Sequence, residues 1–259
     1  MSLSHVAPAQ SGWPLAKTGK LMNFSGKKIL ILVPAYNEAD NIGRVLDEII
    51  EHTGTLPHTF DILVVDDGST DNTAEIVRAK GVEVISLPLN CGIGVALQTG
   101  FKFALESGHD ILVRLDADGQ HSPSSIGEIL RPLMANEADL CIASRFINRQ
   151  GYQASAVRRL GIAWFSFLIS VFFRESVTDP TSGFQAMNRR LITLYSSQYA
   201  SDYPEVEGLV NVLRNGLKVK EVSTVMKERQ GGRSSIDWLQ SVYYALKVTT
   251  VTFVSLLRR

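Results

Sequence analysis

The apolar residues of this chain come in two kinds of block, short continuous runs and longer stretches with helical spacing, and the two alternate. Lys28 to Val33 is a short β-rich run stopped by Pro34, which predicts a buried strand. Beyond Pro34-Ala35-Tyr36-Asn37-Glu38, the residues Ile42, Val45, Leu46, Ile49 and Ile50 fall on one helical face. Asp61 to Val65 predicts a second strand, running into Asp66-Asp67-Gly68-Ser69. Ser69, Asp71 or Asn72 then caps a helix through Ile76 and Val77. Val82 to Leu87 is a third strand, and Asn90-Cys91-Gly92-Ile93-Gly94 leads into a helix carrying Leu97, Phe101 and Leu105. A fourth strand, Ile111 to Leu115, is followed after Pro123 by a helix through Ile126, Ile129 and Leu133, and Leu140 to Ala143 makes a fifth. Strand and helix alternating at this spacing specify an α/β fold, a mostly parallel, Rossmann-like sheet with helices on both faces.

The pattern then changes. Leu160 to Phe173 is strongly apolar and aromatic, follows Arg158-Arg159, and is too short to span a bilayer, so it predicts a core or an interfacial helix. Asp179-Pro180-Thr181-Ser182-Gly183-Phe184 reads as a loop, Val206 to Leu213 as a helix, Leu217 to Val225 as a strand, and Gln230 to Ser235 as a flexible loop. Ile236, Leu239, Tyr243, Leu246, Phe253 and Leu257 lie on one helical stripe that ends in Arg258-Arg259. Such a stripe packs on the body or lies on a membrane surface. Residues 1–26 are rich in Ser, Pro, Gly and Lys without periodicity and predict a disordered lead, with Met22 as an alternative start. The organisation expected is therefore a lead over 1–26, a catalytic domain over 27–235 with halves meeting near 145, and an amphipathic helix over 236–259.

Composition narrows the function. Lys and Arg total 26 and so do Asp and Glu, so there is no basic footprint for nucleic acid. The hydrophobic fraction of 45% supplies a substantial core. Cys91 and Cys141 form no Cys-x-x-Cys pattern and read as two buried thiols in a reducing compartment. No charged start precedes an apolar core, so no secretory signal is expected.

The chemistry is concentrated where strands end. On a continued strand, Asp116 and Asp118 would point the same way, and hard oxygens so placed suit Mg²⁺ or Mn²⁺ held jointly with substrate phosphates. A lone Asp-x-Asp is also an ordinary acidic turn. Pro34 to Glu38 and Asp66-Asp67 add two more polar strand ends, and in open α/β sheets ligands bind at that edge.

In sum these residues resemble family 2 glycosyltransferases with the GT-A fold. The motifs are Val33-Pro34-Ala35-Tyr36-Asn37-Glu38, Val65 to Asp71, Asn90-x-Gly92-x-Gly94 and Asp116-Ala117-Asp118-x-Gln120-His121. Ala143-Ser144-Arg145-Phe146, Asp179 to Phe184 and the loop around Arg233 are similar to the dolichyl- or polyprenyl-phosphate sugar synthases, and that similarity extends over nearly everything after residue 27. Many members of that branch carry transmembrane helices after the catalytic domain, and this sequence shows none there.

The resemblance implies an inverting, metal-dependent transfer of sugar from a UDP- or GDP-linked donor to a lipid phosphate. It implies action at the cytoplasmic face of a membrane by a peripheral protein, with helices on the acceptor side, and it names no protein partner. Asp116, Asp118 and Gln120 would hold the metal. Pro34, Tyr36 and Glu38 would frame base and ribose, with Asp67 as the nucleotide contact and Asp66 as a brace. His121 reads as a structural neighbour of the ligands. Arg145, Arg158, Arg159 and Arg233 are the candidate binders of acceptor or pyrophosphate, since guanidinium forks match phosphate. An acceptor hydroxyl would instead need a base, with Asp179 or Glu207 as its carboxylate. A receiver module would leave the second half unexplained, and a non-catalytic sugar-nucleotide binder would not need the metal ligands.

Overall fold

The computed structural model describes residues 26–148, 156–200, 204–227 and 249–250, without the side chains of 156–158. The expected lead and C-terminal amphipathic helix, and Arg233, lie outside the described residues apart from Gly26, Thr249 and Thr250. Seven strands, β1 (Lys28–Ala35), β2 (Thr59–Asp66), β3 (Glu83–Ser86), β4 (Ile111–Arg114), β5 (Leu140–Ser144), β6 (Gln185–Asn188) and β7 (Val219–Ser223), form one sheet. Its order is β3-β2-β1-β4-β6-β5-β7. β1 pairs in parallel with β2 and β4, β2 with β3, and β5 with β7, whereas β6 runs antiparallel to both β4 and β5. Six strands thus share a direction, and one sheet spans both halves of the chain.

The pleat of β1 sorts its side chains to two cores. Ile29, Ile31 and Val33 meet α1 (Ala39–Gly54), α2 (Thr73–Ala79) and α4 (Ile126–Met134) through Ile42, Leu46, Val77 and Ile129. Leu30 and Leu32 meet the opposite layer, α3 (Ile93–Glu106), α5 (Ala156–Phe173), α6 (Arg189–Ser197) and α7 (Pro204–Arg214), through Leu97, Phe101, Ile169, Leu191 and Leu209. Burying each of these aliphatic side chains contributes roughly 1.5–3 kcal/mol, so helices on both faces hold the sheet.

Several expectations need correction. Ile50 is 44% exposed, because it sits one residue past the α1 stripe that ends at Ile49. Cys91 is exposed on the loop before α3, while Cys141 is buried in β5 and burial pushes its thiol up to about 12. β6 and α6 have no counterpart in the sequence reading. Gln185-Ala186-Met187-Asn188 is too short and polar to announce a strand, although Asn188 caps α6 by accepting the Leu191 N–H. Along α5, Phe165, Leu168 and Ile169 are buried, whereas Leu160, Trp164, Phe167 and Val171 are exposed. Among the described residues no helix is long and apolar enough to cross a membrane.

Two loops at the carboxyl edge are tied together by Asp71. Its Oδ2 accepts the Ala39 N–H that opens α1, and its Oδ1 accepts the Thr73 N–H that opens α2. Burial raises this carboxyl, but the hydrogen bonds from the Thr73 hydroxyl and from the Ala39 and Thr73 N–H groups outweigh it and hold the group below its ordinary value. Gly68 completes the joint. Its φ is +69°, and a Cβ there would stand 2.4 Å from the backbone carbon of Leu89, so only glycine lets the loop after β2 touch the loop before α3. Asp71→Ala is expected to lower the unfolding free energy by about 1–2 kcal/mol at neutral pH, measured by urea denaturation. A carboxyl lowered in the folded state stabilises above its unfolded pKa and loses that contribution as pH falls through the folded one. The gap between wild type and variant should therefore close in acid.

Candidate active site

The parallel strands β2, β1 and β4 end side by side, with Ala35 in register with Asp66 and Leu32 with Arg114. At the end of β1, Pro34 is buried and Tyr36 turns out to solvent with 44% exposure. Asn37 takes a left-handed φ of +52°, and its side-chain oxygen accepts the Thr70 N–H while its own N–H donates to Ser69 Oγ. The Glu38 N–H donates to Thr73 Oγ1, and its half-buried carboxylate accepts from the Asn41 amide. Both acidic residues at the end of β2 are buried and spoken for by backbone: Asp66 accepts the Ser69 N–H, and Asp67 accepts the Cys91 and Gly92 N–H groups at 2.8 and 2.9 Å. Both carboxylates therefore brace loops, and Asp67 carries the ring of the site across to the start of α3.

β4 ends at Arg114, one residue earlier than its apolar run. Ala117 and Asp118 form a turn that Gly119 leaves at φ +74°. The relation between the two aspartates is thus set by a turn and not by strand pleating, a correction to the sequence reading. Both are half-buried, and Asp118 Oδ1 accepts the Gln120 N–H at 3.0 Å. The turn is fastened from outside: the Lys227 N–H donates to the Gln120 carbonyl, and His121 bridges to Met226. Burial would raise the Asp116 carboxyl, but the Arg114 guanidinium, with His121 and Arg145 behind it, outweighs burial and holds it below its ordinary value.

Arg114 is itself 3% exposed, and one nitrogen, Nη2, reaches Glu205 at 2.7 Å and Asp116 at 3.3 Å. His121 lies buried against the Phe184 ring, and its Nδ1 accepts the Asp116 N–H. Burial holds its imidazole below the usual value despite Asp116 and Asp118, and a neutral ring bonded this way carries its proton on Nε2, facing Asp116 Oδ2 at 3.8 Å. That geometry suits a neighbour of the ligands.

The donor set of this turn is hard oxygen. Among the described residues no group of three or more His, Cys, Asp or Glu is arranged to hold a metal ion. Two half-buried carboxylates with an adjacent amide fit an ion that draws its remaining ligands from substrate phosphates and water, as Mg²⁺ or Mn²⁺ does.

Across the site, Arg145 follows β5 and closes a two-pronged pair with Asp179. Nε meets Oδ2 and Nη2 meets Oδ1, each at 2.6 Å, and the Arg145 N–H adds a third bond to the same carboxylate. Arg145 also donates to Thr181 Oγ1 and lies over the Phe146 ring. Glu221 of β7 secures the loop by accepting the Thr178 and Asp179 N–H groups, and burial raises its carboxyl. Asp179 is fully buried, with both oxygens given to Arg145. This geometry orients a guanidinium and does not suit proton abstraction.

Of the other sequence candidates, Arg159 is exposed on α5, and the Arg158 side chain and Arg233 lie outside the described residues. Glu207 is half-buried on α7, and Glu205, two residues earlier and on another face of the helix, reaches the end of β4 at Arg114. Arg114 and Glu205 reach the site, and the sequence reading gave neither a role. A visible signal was there: one arginine inside the apolar run Ile111 to Leu115.

The family model described as Glycosyl transferase family 2 matches residues 30–194, which takes in every one of these strand ends up to β6. The chain belongs to glycosyl transferase family 2. Similar relatives of this family 2 glycosyltransferase include the UDP-N-acetylglucosamine–dolichyl-phosphate N-acetylglucosaminyltransferase of Methanococcus voltae. The two are 31% identical over 76% of this chain and 84% of the relative. The polyprenol monophosphomannose synthase of Mycolicibacterium smegmatis is 29% identical over 82% of each. Among solved structures, glucosyl-3-phosphoglycerate synthase from Mycobacterium tuberculosis, in complex with Mn²⁺ and UDP-glucose, superposes with a TM-score of 0.67. It is 26% identical, with 88% of this chain and 79% of that chain covered. The sheet and its two helical layers are the GT-A fold.

Removing one partner of a buried pair strands the other. Asp179→Ala is therefore expected to cost roughly 3–5 kcal/mol of stability in denaturant unfolding. Replacing both partners, Arg145→Met with Asp179→Leu, should return most of it. A cost for Asp179→Ala close to zero would contradict the buried pairing.

Proposed function

We propose that this glycosyltransferase moves a sugar, with inversion, from a UDP- or GDP-linked donor to a polyprenyl or dolichyl phosphate. The observation that carries the choice of acceptor is the Arg145–Asp179 pair. A hydroxyl acceptor must lose a proton, and Asp179, one of the two carboxylates named for that role beside Glu207, is fully buried with both oxygens on a guanidinium. Glu205 is likewise held by Arg114. A phosphate monoester is already anionic at neutral pH and needs a cation, not a base. The dolichyl-phosphate and polyprenol relatives support the same reading.

On this reading the exposed Tyr36 ring offers a stacking face to the base, and Pro34, Glu38 and the loop braced by Asp66 and Asp67 line the nucleotide side. Asp116, Asp118 and the Gln120 amide are the residues that would hold a divalent cation, whose chemistry is to neutralise charge on the departing diphosphate. Mn²⁺ in the similar synthase supports the use of a divalent cation. Arg145, fixed in direction by Asp179 and with Nη1 against Met226 Sδ, would supply positive charge to a phosphate, with Arg158, Arg159 and Arg233 as further candidate cations. A phosphate oxygen of the acceptor forms a bond to the anomeric carbon as the bond to the donor's β-phosphate oxygen breaks. The nucleoside diphosphate leaves with that electron pair. Alignment and charge stabilisation supply the rate. The apolar α5 face of Leu160, Trp164, Phe167 and Val171 supports peripheral attachment at a membrane, and the cytoplasmic side follows from the family resemblance alone.

The test is a transfer assay with purified protein, undecaprenyl or dolichyl phosphate, and radiolabelled UDP- and GDP-sugars. Label should enter the lipid phase with Mn²⁺ or Mg²⁺ and not with EDTA. Asp118→Ala should lower turnover by at least about 10²-fold, the scale of losing a principal charge-stabilising group. Metal-dependent donor hydrolysis with no lipid labelling would point to a hydroxyl acceptor.

A further inference from the structure

Strand alternation sets Leu112 and Arg114 on the same face of β4, toward the layer of α6 and α7. Leu112 is part of the apolar core there, and an apolar residue at 114 would continue it. Instead the chain buries a guanidinium, 3% exposed, whose Nη2 touches both Glu205 and Asp116. Its Nε and Nη1 have no hydrogen-bond partner among the described residues. As a device for stability this is poor, because burying a charge with only part of its donor set satisfied is costly. Its return lies in what Nη2 holds. Asp116 is the carboxylate at the mouth of the site, one-third exposed, and Arg114 is the group that reaches it from below.

A second observation comes from the loop that enters β6. A Cβ on Gly183 would stand 2.6 Å from Asp116 Oδ2, 3.1 Å from Oδ1 and 3.2 Å from Arg114 Nη2. Backbone without a side chain therefore closes the remaining side of this carboxylate. Asp116 is confined by a guanidinium from β4, a bare glycine from the loop entering β6 and the His121 ring.

We propose that Arg114, itself anchored by Glu205 of α7, is a positioning residue that fixes the Asp116 carboxylate in the orientation needed for a divalent cation. This rests on the reading of Asp116 as a metal-holding residue. The consequence runs against simple electrostatics. Removing a nearby positive charge should strengthen cation binding by Coulomb's law, whereas losing the group that orients a ligand should weaken it, typically by about 10–100-fold.

Mn²⁺ affinity of the full chain, alone and with UDP or GDP, measured by titration calorimetry or by the electron paramagnetic resonance signal of free Mn²⁺, separates the two. Wild type should bind, and Asp116→Asn should lose most of that binding. If wild type does not bind, or Asp116→Asn binds equally, the metal reading itself fails and the proposal with it. With that control in place, Arg114→Met should raise the Kd for Mn²⁺ by about 10–100-fold, and Arg114→Lys, which keeps the charge without the fork, should recover only part. An unchanged or tighter Kd in Arg114→Met overturns the positioning role while leaving the metal site intact. Should Arg114→Met fail to fold, Glu205→Gln decides, because it loosens the anchor and keeps the shape. A several-fold weaker Kd is expected, and wild-type affinity would overturn the proposal.

Discussion

Crowding carboxylates at one sheet edge is possible only if each is given something positive to face, and the rest of the site follows from how those partners are allotted. Asp66 and Asp67 take backbone N–H groups of neighbouring loops, Asp118 takes the N–H of its own turn, Glu221 takes those of Thr178 and Asp179, and Asp116, Glu205 and Asp179 take guanidinium. Carboxylates bound to backbone fix loop shape; those bound to arginine also fix the direction of a cation. The left side of the site is therefore a set of braced loops and the right side a set of oriented charges. Such a division suits a donor held by shape and an acceptor held by charge.

Topology makes this allotment achievable. Because β1, β2, β4 and β5 all point one way, their last residues converge without long loops. β6 runs the other way, so it is its first residues that reach the same edge. The segment from Asp179 to Phe184 consequently meets the site as it enters the sheet, bringing the partner of Arg145 and the glycine beside Asp116. An all-parallel sheet would have carried that segment to the far side. The single reversed strand couples the two halves of the chain at the point where chemistry is expected.

The parallel core and the edge that bears the site were legible because both rest on local pattern. Continuous apolar runs such as Ile29 to Val33, the helical spacing of Ile42, Leu46 and Ile49, and the polar groups after each run are one-dimensional signals. What the sequence concealed is long-range. Nothing near Asp179 indicates that Arg145, 34 residues earlier, occupies both its oxygens. Nor does α7 indicate that Glu205 turns toward β4. β6 was missed because a strand flanked on both sides by others needs little hydrophobicity of its own: Gln185 is buried through a bond from its amide to the Ser182 carbonyl. The strand-like pairing of Asp116 with Asp118 was a false inference for a related reason. Periodicity continues on paper past the point where Gly119 and the Lys227 N–H bend the chain into a turn.

At position 114 local rule and observed residue conflicted openly. A charged side chain inside a four-residue strand, on the face that Leu112 gives to the core, lowers agreement between pattern and fold. Such conflicts persist where the surrounding structure compensates and where something is gained that packing cannot supply. Here compensation comes from Glu205 and from the Tyr199 hydroxyl, and it is incomplete, since two guanidinium nitrogens lack partners among the described residues. A core leucine would have met the needs of the sheet. A buried, rigid cation holds the Asp116 carboxylate ionised and aimed at the mouth of the site while giving up no freedom of its own to solvent, which is what the metal-holding role proposed for Asp116 would require of the strand that carries it.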